Sequence, residues 1–262
     1  MRNLRIGVAT VGFQQPLKES LKTASDIGAQ GVQFDARNEL KPEELSDTGR
    51  SQFLHMLAEL GLKVASLHIP FRRTFMDLEH LDARVAVAKA AMKFAFQLQA
   101  SVVTARVGKI PTDKGTTEYQ LMRQVLGDLA AYGNRIGSTF LIQPSQDSPE
   151  ALQQLLGEIN EGPLGIDFDP AGFIMAGQNP AKALRTLHNW VRHIQARDAI
   201  RDSFGSGEEV PLGRGEVDWT EFVALIDEIE YRGWIVANRT QGDNRLLDLS
   251  NAVEYLRQTV VQ

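Results

Sequence analysis

Short apolar runs rich in β-branched residues alternate with longer segments of helical periodicity along the chain, eight of each. The predicted strands are 4–9, 31–34, 63–68, 101–107, 139–143, 164–168, 190–195 and 234–238, and the predicted helices cover about 17–28, 42–60, 80–99, 116–136, 148–159, 179–188, 218–230 and 245–260. Eight such units predict one α/β domain over residues 1–262, a closed parallel (β/α)8 barrel. An open doubly wound sheet is the alternative, but Gly7 and Gly12 near the first strand do not form a GxGxxG fingerprint.

Several predicted helix ends carry specific sequence signals. Ser148, followed by proline and glutamate, predicts an N-cap, and Asp218 with Glu221 three residues later resembles a capping box. Gly61 and Gly233 follow helical segments at positions where a left-handed residue is expected. These signals support the placement of the predicted helices.

The longest stretch predicted to be irregular, about 198–217, follows the seventh strand and contains four glycines. Irregular segments of about 20 residues inside a domain are uncommon and usually functional. In a barrel this segment would lie at the C-terminal ends of the strands, where barrel active sites form. We therefore expect it to line a pocket.

The composition excludes several classes of function. The 262 residues are 43% apolar and 23% charged, with a net charge of −5 and no basic block, which disfavours nucleic acid as a partner. The absence of cysteine rules out disulfides, thiolate metal sites and cysteine nucleophiles. No apolar run reaches membrane-spanning length, and the start at Met1 lacks the features of a signal peptide. A cytoplasmic protein that does not bind membranes is the expectation.

Amides and arginines dominate the residues at the predicted strand ends. Such groups suit hydrogen bonding to hydroxyls or binding of an anion better than they suit a hard divalent cation. We expect a small-molecule site there. The candidate ligand-binding residues are Gln33, Arg37, His68, Arg106, Gln143, Gln195 and Asn238.

Two polar residues at the strand ends, Asp169 and His68, have structural alternatives, whereas Arg106 does not. Asp169 precedes a proline, so it fits a helix cap as well as a binding role. His68 lies at a predicted strand end, and the alternative to a binding role is a packed, hydrogen-bonded histidine of the core. Arg106 lies in an apolar strand pattern and needs a partner, which favours a position in the pocket.

Three segments resemble those of the xylose isomerase-like TIM barrels, the sugar phosphate isomerases/epimerases that are grouped with the family 2 AP endonucleases. They are Gly28–Asp35, Gly165–Gly172 and His193–Asp198, and the stretch from Val210 to Trp219 also matches. The order and spacing of these segments cover nearly the whole chain. The resemblance implies a TIM barrel with a sugar site at its C-terminal face and often a homo-oligomeric assembly.

The resemblance also implies a divalent metal, Mn²⁺, Mg²⁺, Co²⁺ or Zn²⁺, held by Glu, Asp, His and Glu on strands five to eight. In this chain those positions fall on Gln143, Asp169, Gln195 and Asn238, so only Asp169 is retained. The two glutamates of the family also act as the acid/base pair, and a carboxamide cannot take up a proton at neutral pH. No cofactor is therefore expected, although a weak or relocated metal stays open.

Two hypotheses follow from this pattern, and whether the chain is an enzyme stays open between them. The first is a degenerate, metal-free member that binds a sugar or sugar phosphate, with Arg37, Arg106 or Arg239 meeting an anionic group. The second is an active isomerase/epimerase with a relocated metal on Asp167, Asp169 and His193, with His68 as an additional candidate ligand. A nuclease role is disfavoured, because the five histidines are scattered and no basic face is present.

Overall fold

Eight parallel strands close into a barrel in the computed structural model, which describes residues 4–144 and 146–260. The barrel order is β1–β10–β7–β6–β5–β4–β3–β2, with each strand parallel to its neighbours. The strands are β1 Arg5–Ala9, β2 Gly31–Asp35, β3 Lys63–Ile69, β4 Val102–Ala105, β5 Thr139–Ile142, β6 Leu164–Phe168, β7 Val191–Ala196, β8 Asp198–Arg201, β9 Gly207–Val210 and β10 Trp234–Ala237. The predicted (β/α)8 fold is confirmed.

Helices cover the outside of the barrel between successive strands. They are α1 Leu17–Asp26, α2 Asp47–Glu59, α3 Leu81–Gln97, α4 Thr117–Ile136, α5 Pro149–Gly157, α6 Pro170–Met175, α7 Pro180–Leu187, α8 Trp219–Glu228 and α9 Arg245–Val260. Short 3₁₀ helices span Thr10–Phe13, Pro42–Glu44 and His188–Trp190. Within the described ranges, no helix is long and apolar enough to cross a membrane.

The barrel strands are buried on both faces, since outward side chains pack against helices and inward side chains fill the barrel. All five residues of β2 and all five of β6 are buried. Alternation along a strand then decides which polar residues point inward. The register places Gln33 beside Ser66 and Asp167 beside His193, so polar groups from neighbouring strands meet at one level of the barrel.

Three of the four predicted helix-end signals are confirmed. The Ser148 side chain accepts from the backbone N–H of Ala151, Asp218 caps α8 in the same way, and Gly61 has a φ of 69°. The prediction for Gly233 is wrong, because the left-handed residue after α8 is Glu230, with a φ of 52°. Gly233 is needed for a different reason: a Cβ there would lie 2.2 Å from the Tyr231 hydroxyl.

The segment predicted to be irregular after the seventh barrel strand contains regular structure. Its first half is an antiparallel hairpin of β8 and β9, with Asp198 opposite Val210 and Arg201 opposite Gly207. A further short helix, α6, follows β6 and is absent from the predicted helices, although its cap at Asp169 fits the structural alternative for that residue. Strand β4 ends at Ala105, so Arg106 lies just beyond the strand and is exposed.

Candidate functional site

A pocket of about 370 Å³ lies at the carboxyl ends of the barrel strands. Two predicted site residues lie elsewhere: Arg37 is exposed and lines a neighbouring hollow, and Asp169 is buried outside the lining. The pocket does bring together six predicted residues, namely Gln33, His68, Arg106, Gln143, Gln195 and Asn238.

Five buried side chains below the pocket form a closed hydrogen-bond ring. His193 Nδ1 lies 2.7 Å from Asp167 Oδ1, and His193 Nε2 lies 3.0 Å from Ser66 Oγ. Gln33 Nε2 donates to Ser66 Oγ at 2.8 Å. Gln195 Nε2 closes the ring by donating to Gln33 Oε1 at 3.3 Å and to Asp167 Oδ2 at 2.9 Å. All five residues are at most 4% exposed, and Gln33 and Gln195 present the ring to the pocket as its floor.

The carboxylate of Asp167 sets the direction of the hydrogen bonds in this ring. Burial by itself raises the pKa of Asp167, but the neighbouring His193 and the donated hydrogen bonds outweigh it and hold the pKa below its ordinary value. The charged carboxylate therefore accepts from His193 Nδ1–H and from Gln195 Nε2. The two glutamines at the pocket floor are consequently held in one orientation each.

Asn238 extends the ring at the edge of the pocket. Its Nδ2 donates to Gln195 Oε1 at 3.2 Å, and its Oδ1 is buried without a hydrogen-bond partner among the described residues. A buried amide oxygen without a donor is costly, with a penalty of about 1–3 kcal/mol. A hydroxyl of a bound ligand would satisfy it.

A second cluster, the ion cluster, lies beside the ring and is held by Arg197. The Arg197 guanidinium donates from Nη1 to Asp169 Oδ2 at 2.5 Å and from Nε to Glu209 Oε1 at 3.2 Å. Thr240 donates from its backbone N–H and its hydroxyl to Glu209. Arg239 Nη1 lies 3.9 Å from Glu209 Oε1, so both arginines face one carboxylate.

Charge pairing governs the titration of this ion cluster. Burial alone lowers the pKa of Arg197, but Asp169 and Glu209 raise it above its ordinary value. Burial alone raises the pKa of Glu209, and the charge and hydrogen bond of Arg197 lower it overall. Both groups are therefore charged at neutral pH.

The rim of the pocket differs from its floor, because its charges are less fully paired. His68 Nδ1 lies 3.0 Å from Thr104 Oγ1, and desolvation lowers the pKa of His68, so its imidazole is neutral at pH 7. Asp35 accepts from the backbone N–H groups of Arg37 and Asn38, which fixes the loop after β2. Arg106 is exposed and forms no ion pair or hydrogen bond with the part of the chain that the structure describes.

The donor set at the family metal position does not fit a hard divalent cation. Gln143, Gln195 and Asn238 carry no charge, and Asp169 is neutralised by Arg197. Amide oxygens alone rarely compete with the hydration of such an ion. Among residues 4–144 and 146–260, no group of three or more His, Cys, Asp or Glu side chains could hold a metal ion.

The relocated metal set of the second hypothesis is not assembled either. Asp167 and His193 bind each other, and Asp169 binds Arg197. His68 contacts Thr104 instead of a carboxylate. Each of the four candidate ligands therefore already has a protein partner.

Four residues of the site are absent from the sequence-based candidates: Ser66, Arg197, Glu209 and Thr240. Alternation along the strand would have placed Arg197 on the same side as His193 and Gln195. No sequence signal identifies Glu209, because it comes from the unpredicted hairpin.

Comparison with known proteins supports the fold seen in the structure. Residues 21–259 match the sequence family described as the xylose isomerase-like TIM barrel. A search of proteins with curated descriptions finds no match.

Solved structures with the same fold include three that align over nearly the whole chain. A xylose isomerase domain protein from Planctomyces limnophilus is 24% identical, with a TM-score of 0.85 over 99% of this chain and 98% of that one. A D-tagatose 3-epimerase-like protein is 19% identical, with a TM-score of 0.81 over 98% and 97%. A xylose isomerase-like TIM barrel protein from Mycobacterium smegmatis, solved in complex with magnesium, is 16% identical, with a TM-score of 0.79 over 98% and 96%. At these identities the likeness establishes the fold alone.

Proposed function

The chain belongs to the xylose isomerase-like TIM barrel family, and from this premise we propose that it is a metal-free member that binds a sugar or sugar phosphate. The ligand site is the pocket at the carboxyl ends of the strands. The single observation that carries the proposal is the closed hydrogen-bond ring with Asn238 attached to it. It orients Gln195 and Asn238, two amides that by the resemblance fall on metal-ligand positions of the family.

The ring is stable without a cation because its members satisfy one another. Gln33 donates to Ser66 and accepts from Gln195, and Gln195 also donates a charge-assisted hydrogen bond to the Asp167 carboxylate. Glutamates at positions 143 and 238 would add negative charges to the pocket lining and would need a cation to offset them. With amides at positions 143 and 238, no cation is needed to offset negative charge there.

The same amides suit the hydroxyls of a sugar. Asn238 Oδ1 is a buried acceptor without a partner in the described residues, and a ligand hydroxyl can donate to it. Phe71, Ile69 and Val11 contribute apolar surface to the pocket, against which the C–H faces of a sugar ring can pack. The cavity volume of about 370 Å³ lies within the usual range for small-ligand sites.

Arg106 gives the pocket one free positive charge at its rim. Because no carboxylate pairs with it in the described chain, it can bind a phosphate or carboxylate of the ligand. Arg239 is committed to Asp248 at 2.9 Å, and Arg37 lies in the neighbouring hollow. Arg106 is therefore the arginine that we assign to an anionic group.

The site lacks the two glutamates that the resemblance implies as the acid/base pair of the family. Gln143 and Asn238 occupy the positions of the two glutamates, and neither amide can accept a proton from carbon at neutral pH. The proposal is therefore binding without turnover.

The experiment is a thermal-unfolding screen of the full chain with ketoses, aldoses, their phosphates and their sugar acids. Each compound is tested with EDTA and separately with Mn²⁺, and the recovered ligand is analysed by NMR. We expect at least one compound to raise the unfolding temperature equally in both buffers and to be recovered unchanged.

Matched variants connect this binding to the pocket. Gln33→Ala should abolish the ligand-induced shift, whereas Gln153→Ala, at an exposed glutamine that donates to the Thr186 carbonyl, should keep it. Mn²⁺-dependent conversion of a sugar would overturn the metal-free proposal and favour the active isomerase/epimerase. No shift with any compound would overturn the sugar-binding assignment.

A further inference from the structure

The positive charge at the inner end of the pocket comes from the chain itself. Arg197 is 5% exposed and donates to Asp169 at 2.5 Å and to Glu209 at 3.2 Å. Both carboxylates are 3% exposed, so water screens neither of them well. We propose that the Arg197 guanidinium is a built-in counterion that occupies the place of a divalent cation, and that its removal creates a divalent-cation site between Asp169 and Glu209.

The charge balance of the ion cluster supports this assignment. Three carboxylates, Asp169, Glu209 and Asp248, face two guanidiniums, Arg197 and Arg239, in a chain of ion pairs. Arg239 is 3.9 Å from Glu209 and is already bonded to Asp248. Arg197 is therefore the one cation of this cluster, within the described residues, that pairs with Asp169.

The oxygens released by removing Arg197 are suitable metal ligands. Asp169 Oδ2 and Glu209 Oε1 both contact the same guanidinium, so they lie on either side of the space that it fills. Asp169 Oδ1 accepts from the N–H of Gly172 and keeps the carboxylate in place at the start of α6. Two buried carboxylates brought together by the fold disfavour each other's charge, and a divalent cation relieves that repulsion.

This inference rests on the proposed metal-free function, and its test needs no sugar ligand. The full chain and Arg197→Met are unfolded thermally with and without 10 mM Mn²⁺, and Mn²⁺ binding is measured directly by electron paramagnetic resonance. We expect the variant to gain binding with a dissociation constant of roughly 10⁻⁴–10⁻³ M. With 10 mM Mn²⁺ its unfolding temperature should then rise by roughly 3–11 °C.

Two controls and one replacement variant define the result. Arg185→Met breaks an exposed ion pair with Glu221 and should gain no Mn²⁺ binding. Adding Glu209→Gln to Arg197→Met should remove the gained binding, because one of the two charged ligands is lost. If Arg197→Met does not fold, Arg197→Gln provides the same test, since its amide N–H still donates to one carboxylate.

The possible outcomes separate this inference from the proposed function. Variants at Arg197 that fold but bind Mn²⁺ no better than the full chain would overturn the counterion assignment alone. Tight Mn²⁺ binding by the unmodified chain would overturn the metal-free function and the counterion assignment together.

Discussion

The hydrogen-bond ring and the ion cluster both lie at the buried end of the pocket, but different interactions stabilise them. The ring joins side chains of neighbouring barrel strands and contains one carboxylate, Asp167. The ion cluster joins Asp169 after β6, Arg197 after β7 and Glu209 in the hairpin. The ring therefore belongs to the barrel, whereas the ion cluster depends on segments attached to it.

This difference determines how each region responds to the loss of one member. Loss of Gln33 from the ring leaves amide and hydroxyl groups unsatisfied, which costs the desolvation of neutral groups. A broken ion cluster leaves a buried charge without its counterion, which costs more. The following predictions test this ranking, from the largest expected effect to the smallest.

Removing the central cation should have the largest effect on stability. Arg197→Met leaves Asp169 and Glu209 buried without their shared partner and should lower the free energy of unfolding by about 3–5 kcal/mol. Urea unfolding in metal-free buffer measures the loss. Lys89→Met, which breaks a partly exposed ion pair with Asp128, should cost at most about 1 kcal/mol. Equal losses in the two variants would contradict the ranking.

Breaking the ring should have an intermediate effect. Gln33→Ala removes the donor to Ser66 and the acceptor for Gln195, and should lower the free energy of unfolding by about 1–3 kcal/mol. Gln153→Ala at the surface should stay within about 0.5 kcal/mol of the unmodified chain in the same urea titration. A Gln33→Ala loss as large as that of Arg197→Met would remove the distinction between the two regions.

Acid should destabilise the ion cluster through Glu209. The pKa of Glu209 is lowered in the folded state, so it contributes stability above the ordinary value of 4.5 and loses it as the pH falls through the lower folded value. Glu209→Gln should therefore lose less stability than the unmodified chain between about pH 5 and pH 2. Asp167, whose pKa is also lowered, contributes to the pH dependence of stability in the same direction in both proteins. Its contribution therefore cancels when the two stability curves are compared. Parallel stability curves over this range would contradict the assignment.

Changing the rim should have the smallest effect on stability. Arg106 is exposed, so Arg106→Gln should leave the free energy of unfolding within about 0.5 kcal/mol. It should weaken binding of an anionic ligand by about 10- to 150-fold, since a charge-assisted hydrogen bond is worth about 1.5–3 kcal/mol. Binding of a neutral sugar should be unchanged. Calorimetric titration with both ligand types measures the difference. Arg72→Gln, at an exposed arginine outside the pocket lining, is the matched control, and an equal effect there would contradict the role of Arg106.

The barrel and most of the pocket floor follow from the sequence for one physical reason. The period of two along a strand fixes which side chains point inward, so the strand pattern alone places Gln33, Gln195 and Asn238 together. The ion cluster does not follow in this way, because Glu209 reaches it through a hairpin whose sequence has a loop-like composition. Arg106 lines the pocket as predicted, but it lies beyond the strand and not within it.

Elemental mass spectrometry of the purified chain tests the central claim most directly. The protein is incubated with excess Mn²⁺, Co²⁺ and Zn²⁺ and then dialysed without a chelator. A metal-free pocket predicts no stoichiometric metal, because its inner end is already neutralised by Arg197 and its floor is made of amides. One retained ion per chain would contradict this account and would return the active isomerase/epimerase hypothesis to first place.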